Sequence, residues 1–124
     1  MGDVIGVLRA EGYTGPVAVL GFYNPQAFIL PGSDTLQKNL NESVAGTIAA
    51  EKFGPGVVFA NPFPKFNPEK PKSEKKAIEK FTEECNPNVQ SNQGGHDVGC
   101  EGDIHPTPLG YKQLANILYH ALGH

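Results

Sequence analysis

Two continuously apolar segments separated by one long helical segment constrain the fold of this chain most. Residues 17–22 and Val57–Ala60 contain almost no polar side chains, which is typical of strands that are covered on both faces. The intervening helix is predicted over residues 33–53, with Ser33 or Asp34 as its N-cap. Its apolar residues recur at every fourth position, at Leu36, Leu40, Val44 and Ile48. A strand, a helix and a strand in this order predict a βαβ unit with parallel strands.

Shorter helices are predicted on both sides of this unit. Residues 3–11 form an amphipathic helix that ends before Gly12, and residues 74–84 form a charged helix capped by Ser73. Residues 63–72 are rich in proline and are predicted to be a loop. The last helix has Thr107 as its N-cap and proline at its first position, where the missing N–H is not needed.

Length and charge exclude several classes of protein. A chain of 124 residues forms one domain, and its net charge of −3 provides no basic surface for nucleic acid or anionic membranes. No apolar segment is long enough to span a bilayer. The first residues also lack the charged and apolar regions of a signal peptide, so none is predicted.

The segment that carries chemistry is residues 102–111, with the sequence Gly-Asp-Ile-His-Pro-Thr-Pro-Leu-Gly-Tyr. It places Asp103 and His105 two residues apart on a stiff loop at the entrance of a helix. A lone histidine in this position most often caps or lines the helix end. A metal site is a further alternative, although its ligand spacing matches no known pattern. Its ligands would be His96, Asp97, Asp103 and His105.

The whole segment resembles the last sequence block of the SGNH (GDSL-type) serine esterase and lipase superfamily, and especially its secreted actinobacterial branch. In that family an aspartate and a histidine precede a proline and a Gly-Tyr helix start. Other parts of the chain are similar to the C-terminal half of these enzymes in order and spacing. They are Leu8-Arg9, residues 12–16, Tyr23-Asn24-Pro25, Leu40-Asn41, Val57–Ala60 and residues 103–111.

The resemblance implies a partial doubly wound (flavodoxin-like, SGNH-type) α/β fold, namely the C-terminal portion of a three-layer parallel sheet. Residues 1–124 would be a single incomplete domain, because the N-terminal Gly-Asp-Ser nucleophile block of the family is absent. None of the four serines lies in such a block: Ser33, Ser43, Ser73 and Ser91. The function implied is the C-terminal segment of a serine ester hydrolase, inactive alone. The alternative is a non-catalytic oligomerising or binding module derived from this fold.

The resemblance also assigns roles to single residues. His105 would be the catalytic base, and Asp103 its orienting acid. The common form of the block has aspartate three residues before histidine, where this chain has Gly102, so either Asp103 or a backbone carbonyl orients the ring. Side chains near the end of the first strand are predicted to bind the substrate, an ester or lipid-like small molecule, although they are equally consistent with core. They are Tyr23, Asn24 and Phe28. No cofactor and no metal are implied.

The two cysteines suggest where the protein works. A disulfide between Cys85 and Cys100 would close a loop of about 16 residues and stabilise the fold by roughly 3 kcal/mol. It would indicate an oxidising, extracellular compartment, and a secreted protein in a mature or truncated form. Two free thiols in a cytosolic protein are the alternative. The partner expected is the missing N-terminal half, or a second copy joined through a sheet edge.

Overall fold

The computed structural model describes residues 2–85 and 103–124, which form a mixed α/β arrangement of two strands and five helices. The strands are β1 (Val17–Leu20) and β2 (Val57–Ala60). The helices are α1 (Gly2–Ala10), α2 (Ser33–Ala49), α3 (Phe63–Phe66), α4 (Pro71–Phe81) and α5 (Pro108–Ala121). None of the helices in these two ranges is both long enough and apolar enough to cross a bilayer.

The sheet confirms the parallel βαβ unit. β1 and β2 pair in parallel, with Val17 opposite Val57 and Leu20 opposite Ala60, and α2 connects them. β1 is two residues shorter than predicted because the Asn41 side chain forms hydrogen bonds with both backbone polar groups of Phe22. Asn41 accepts a hydrogen bond from the Phe22 amide at 2.8 Å and donates to the Phe22 carbonyl at 2.7 Å. Phe22 therefore cannot continue the ladder.

Two apolar clusters lie on the two faces of the sheet. Val19 packs with Ile5 of α1 and Ile48 of α2. Leu20, the next residue along β1, packs instead against the cluster of Phe66, Phe81 and Leu114. Since successive side chains of a strand point to opposite faces, helices cover both faces of the pair of strands.

Helix α2 differs from its prediction at both ends. Its N-cap is Gly32, with φ of 82°, and no side chain caps it. Ser33 instead donates its hydroxyl proton to the carbonyl of Leu30 at 2.6 Å. The helix ends at Ala49, because Glu51 takes up a left-handed conformation with φ of 54°.

The apolar stripe of α2 is only partly covered. Val44 and Ile48 pack in the first cluster as predicted. Leu36 and Leu40, however, are 62% and 45% exposed. They lie in the N-terminal half of α2, and no element of the described part of the chain buries them.

The sequence predicts a loop directly after β2. This prediction is wrong for Phe63–Phe66, which form α3 with Phe63 and Phe66 buried. Helix α4 begins at Pro71, whose ring is suited to the first helical position, and not after Ser73. It ends at Phe81 because Thr82 is extended and forms an antiparallel bridge with Pro106. Pro106 follows Asp103 and His105, so this bridge attaches their loop to the end of α4.

Candidate functional site

The loop before α5 is attached to the end of α4 on both sides of His105. The Glu83 amide donates to the His105 carbonyl at 2.9 Å, and the Thr107 amide donates to the Phe81 carbonyl at 2.9 Å. The Thr107 hydroxyl donates to the Lys80 carbonyl at 2.8 Å and accepts from the Gly110 amide at 3.0 Å. Thr107 is therefore the N-cap of α5, as predicted, and it also ties the two helices together.

Asp103 contacts His105 twice through one carboxylate oxygen. Asp103 Oδ1 accepts from the His105 amide at 2.9 Å and also contacts Nδ1 of the imidazole. These hydrogen bonds, from the backbone first and then from the ring, hold the pKa of Asp103 below its usual range. Of the two orienting groups that the sequence left open, the structure places the carboxylate on Nδ1.

The other side of the imidazole faces outward. The His105 side chain is 69% exposed, and no residue within 2–85 or 103–124 forms a hydrogen bond with Nε2. With Nδ1 held by a carboxylate, the neutral ring has its proton on Nδ1 and its lone pair on Nε2. This arrangement can accept a proton from a group that approaches Nε2.

Tyr23 lies beneath this loop. Its hydroxyl donates to the Ile104 carbonyl at 3.0 Å, and its ring stacks on Phe66 with 4.5 Å between centroids. Burial, followed by the nearby Tyr111 and Asp103, raises the pKa of Tyr23 to about 12, so the phenol remains a donor at neutral pH. Tyr23 thus supports the residue between Asp103 and His105.

A cavity of about 330 Å³ opens where β1 ends, beside the loop. Tyr23, Asn24 and Ile104 contribute to its wall, together with Phe22 and Gln37. Gln37 Oε1 is buried and has no hydrogen-bond partner in the described part of the chain. No pattern in the sequence distinguishes Gln37, because it is a polar residue in a surface helix.

The three residues predicted to bind substrate differ in their surroundings. Tyr23 and Asn24 line the cavity, whereas Phe28 is half-buried and is not among its described lining residues. The Asn24 side chain donates to Ser33 Oγ at 2.8 Å and to Asp34 Oδ1 at 2.6 Å, and its oxygen accepts from the Gln26 amide at 3.1 Å. Its polar atoms are therefore engaged within the protein.

Asn24 belongs to a buried polar network that joins the loops after both strands. Asn67 accepts from the Asn24 amide at 2.7 Å and donates to its carbonyl at 2.8 Å. The Asn67 amide group also donates to Glu74 Oε2 at 3.1 Å. Glu74 in turn is hydrogen-bonded to Asp34, so α2 and α4 meet through two carboxyl groups.

This pair of acids predicts a pH-dependent stability. Burial, then the hydrogen bond to Asp34, raises the pKa of Glu74 from 4.5 to about 7, against a smaller lowering by Asn67. Between these values the folded chain keeps a proton that the unfolded chain loses, so the free energy of unfolding falls as pH rises across this window. Urea unfolding at pH values below and above the window measures this decrease.

Glu74→Gln is expected to make the fall of the free energy of unfolding with rising pH smaller. Its amide can donate to Asp34 and accept from Asn67, as the protonated acid does. Above pH 7 the variant should therefore unfold with a free energy about 1 kcal/mol higher than the unmodified chain. The exposed Glu79 of the same helix provides the control, since Glu79→Gln should leave the pH dependence unchanged. If the free energy of unfolding fell equally with pH in Glu74→Gln and in the unmodified chain, the prediction would be contradicted.

The other residues that the sequence singled out lie away from the Asp103–His105 pair or outside residues 2–85 and 103–124. Ser33 forms internal hydrogen bonds, Ser43 lies on α2 and Ser73 on α4, and none of these three serines forms a hydrogen bond with His105, while Ser91 lies outside the described residues. Cys100, His96 and Asp97 lie outside the described residues, so the disulfide with Cys85 remains a prediction and the four-ligand metal site remains only an alternative. Within the two described ranges, no three side chains are grouped as metal ligands.

The fold and the loop together define a small α/β protein that presents an exposed aspartate–histidine pair near the end of a parallel strand. Comparison of the chain with models of protein families, with curated proteins and with solved structures produced no match. Its function is therefore argued from the geometry of this pair and the cavity beside it.

Proposed function

We propose that this chain is the C-terminal segment of an SGNH-type serine ester hydrolase and supplies its catalytic histidine. The observation that carries the proposal is the contact between Asp103 Oδ1 and His105 Nδ1, on a loop that leaves the opposite side of the ring exposed. A general base needs a defined tautomer and a reachable lone pair, and this pair has both.

The reaction proposed is acyl transfer through a serine of the missing N-terminal half. As that serine attacks the ester carbonyl, its hydroxyl proton moves to His105 Nε2, and the negative Asp103 stabilises the imidazolium. The tetrahedral intermediate then loses the alcohol, which takes the proton from His105. Water repeats the sequence on the acyl-enzyme and releases the acid, so the serine and the histidine are regenerated.

The cavity at the end of β1 is the proposed site for part of the ester. Ligands of open α/β sheets bind at the carboxyl ends of the strands, which is where Phe22 and Tyr23 line this cavity. The apolar part of its wall, which includes Phe22 and Ile104, suits a hydrocarbon group. The class of substrate proposed is a small ester or lipid-like molecule.

The proposal includes a larger sheet than the two described strands. A doubly wound sheet would continue past one edge of the β1–β2 pair and bury Leu36 and Leu40, which are exposed here. The proposed compartment is extracellular, and a Cys85–Cys100 disulfide would fit it.

Without its other half, the chain is expected to self-associate through the sheet edge and these apolar side chains. Light scattering at micromolar concentration should give at least twice the mass of one chain. A Leu36→Lys/Leu40→Lys variant should shift toward the mass of a single chain, because it places charge on the exposed stripe. A well-folded monomer of the unmodified chain would rule out this association.

The direct test of the function begins with the coding sequence upstream of Met1. A Gly-Asp-Ser block in the same reading frame is expected, and the joined protein should hydrolyse a p-nitrophenyl ester whereas residues 1–124 alone should not. If no such block exists and the chain forms a stable oligomer, the alternative of a non-catalytic module derived from this fold gains support instead.

A further inference from the structure

The peptide unit between Ile104 and His105 is held at both of its polar atoms. The Ile104 carbonyl accepts a hydrogen bond from the Tyr23 hydroxyl at 3.0 Å, and the His105 amide donates to Asp103 Oδ1 at 2.9 Å. A trans peptide unit is planar, so its C=O and N–H groups point in opposite directions and can only turn together. The hydrogen bond from Tyr23 therefore fixes the direction in which the His105 amide points.

That direction decides where the Asp103 carboxylate lies. One carboxylate oxygen, Oδ1, accepts from the His105 amide and also contacts Nδ1 of the imidazole. If the peptide unit turned, its N–H would no longer hold this oxygen beside Nδ1. A donor on the carbonyl also polarises the peptide and strengthens the hydrogen bond that its N–H donates. Tyr23 thus acts on the imidazole through one peptide unit and one carboxylate.

The Tyr23 ring is itself fixed by the core. It stacks on the fully buried Phe66 with 4.5 Å between ring centroids, and Phe66 lies 5.1 Å from the ring of Phe81 at the end of α4. The Phe81 carbonyl accepts from the Thr107 amide. These three aromatic residues therefore support the loop before His105, through the Tyr23 hydroxyl, and after it, through the Phe81 carbonyl.

We propose that Tyr23 is a positioning residue whose hydroxyl orients the Ile104–His105 peptide and thereby favours the tautomer of His105 with its proton on Nδ1. This role differs from contact with a substrate, because the hydroxyl proton is already donated within the protein. The consequence for catalysis rests on the proposed ester hydrolase function, whereas the effect on the tautomer is a property of this chain alone.

The tautomer is measured by nitrogen-15 NMR of the His105 ring in residues 1–124, at a pH where the ring is neutral. The unmodified chain should hold mainly the Nδ1–H form. Tyr23→Phe keeps the ring and removes the hydroxyl, so the ratio of the Nδ1–H to the Nε2–H form should fall about fivefold, as expected for the loss of one hydrogen bond. Tyr13→Phe is the matched control, since its hydroxyl also donates to a backbone carbonyl, that of Pro16 at 2.8 Å, but precedes β1. It should leave the ratio unchanged.

Hydrogen exchange of two backbone amides separates positioning from a general support of the loop. In Tyr23→Phe the His105 amide should exchange with solvent about fivefold faster. The Glu83 amide, which donates to the His105 carbonyl at 2.9 Å, should keep its rate. Equal acceleration of both amides would overturn the proposal, because Tyr23 would then only stabilise the loop. A predominant Nε2–H form in the unmodified chain would overturn it without any variant.

The joined protein provides the catalytic measurement. Tyr23→Phe should lower kcat for a p-nitrophenyl ester about fivefold and leave KM within about twofold, since the ring that lines the cavity is retained. An unchanged kcat alongside a shifted tautomer would contradict the role of Tyr23 in catalysis. If the joined protein hydrolysed no ester while the tautomer still shifted in Tyr23→Phe, only the proposed function would be contradicted.

Discussion

Replacing His105 with alanine in the joined protein is expected to lower kcat for ester hydrolysis by about a thousandfold or more. The reason is chemical, since the serine would then have no group to take its proton and the leaving alcohol would have no donor. KM should change little, because the exposed imidazole is not among the residues that line the cavity. Steady-state kinetics with a p-nitrophenyl ester measure both constants.

His120 offers a matched control for this change. It is an exposed histidine in the last turn of α5, and its Nδ1 contacts only the carbonyl of His124 at 2.9 Å among the described residues. His120→Ala removes the same atoms at a distance from the cavity and should leave kcat within about twofold. If His105→Ala and His120→Ala behaved alike, the role proposed for His105 would be wrong.

Gly110→Ala is expected to destabilise the fold by about 3 kcal/mol or more. Gly110 lies in the first turn of α5, where a Cβ atom would overlap the carbonyl oxygen of Phe81 and approach Pro106 Cβ to 2.9 Å. The Phe81 carbonyl is also the acceptor for the Thr107 amide, so it cannot move away without breaking the attachment of the loop. Urea unfolding followed by circular dichroism measures the loss.

The same substitution at Gly46 is the control. Gly46 lies on the exposed side of α2, and an added Cβ would have no neighbour within 4 Å. Because alanine favours a helix over glycine, Gly46→Ala should stabilise the chain by about 0.5–1 kcal/mol. Opposite signs at the two positions would show that close packing of α5 on the end of α4 is the cause. Similar small effects at both positions would contradict it.

The two changes act on the same loop in different ways. His105→Ala removes the chemistry and leaves its support, whereas Gly110→Ala disturbs the junction that holds the Asp103–His105 segment on α4. The support consists largely of hydrogen bonds that the Thr107 and Glu83 amides donate to the Phe81 and His105 carbonyls. Such bonds involve no characteristic side chain, so they leave no trace in the sequence.

Local patterns predicted the elements whose stability depends on nearby residues. β2 has the predicted bounds, and Thr107 and Pro108 begin α5 as expected. Periodicity and capping are properties of a few consecutive residues, so the sequence displays them directly. The closeness of Asp103 and His105 is local in the same sense, because two residues of an extended loop lie on one side of it.

The secondary-structure predictions were wrong where a contact with a distant residue replaced the structure that the local pattern favours. Asn41 ends β1 by forming hydrogen bonds with the backbone of Phe22, nineteen positions away. Residues 63–66 were predicted as loop because their prolines dominate the pattern, yet burial of Phe63 and Phe66 stabilises a helical turn there. In each case a tertiary contact overrode a local preference.

The sequence by itself determined the parallel βαβ unit, the helix entrance that carries His105 and the acid two residues before it. Only the tertiary structure decided what surrounds this pair. Tyr23 supports Ile104 from beneath, Asn24 is committed to a buried network, and the isolated antiparallel bridge between Thr82 and Pro106 attaches the loop to the end of α4. The physical reason is that charge and hydrogen bonding act through space, between residues that the order of the chain keeps apart.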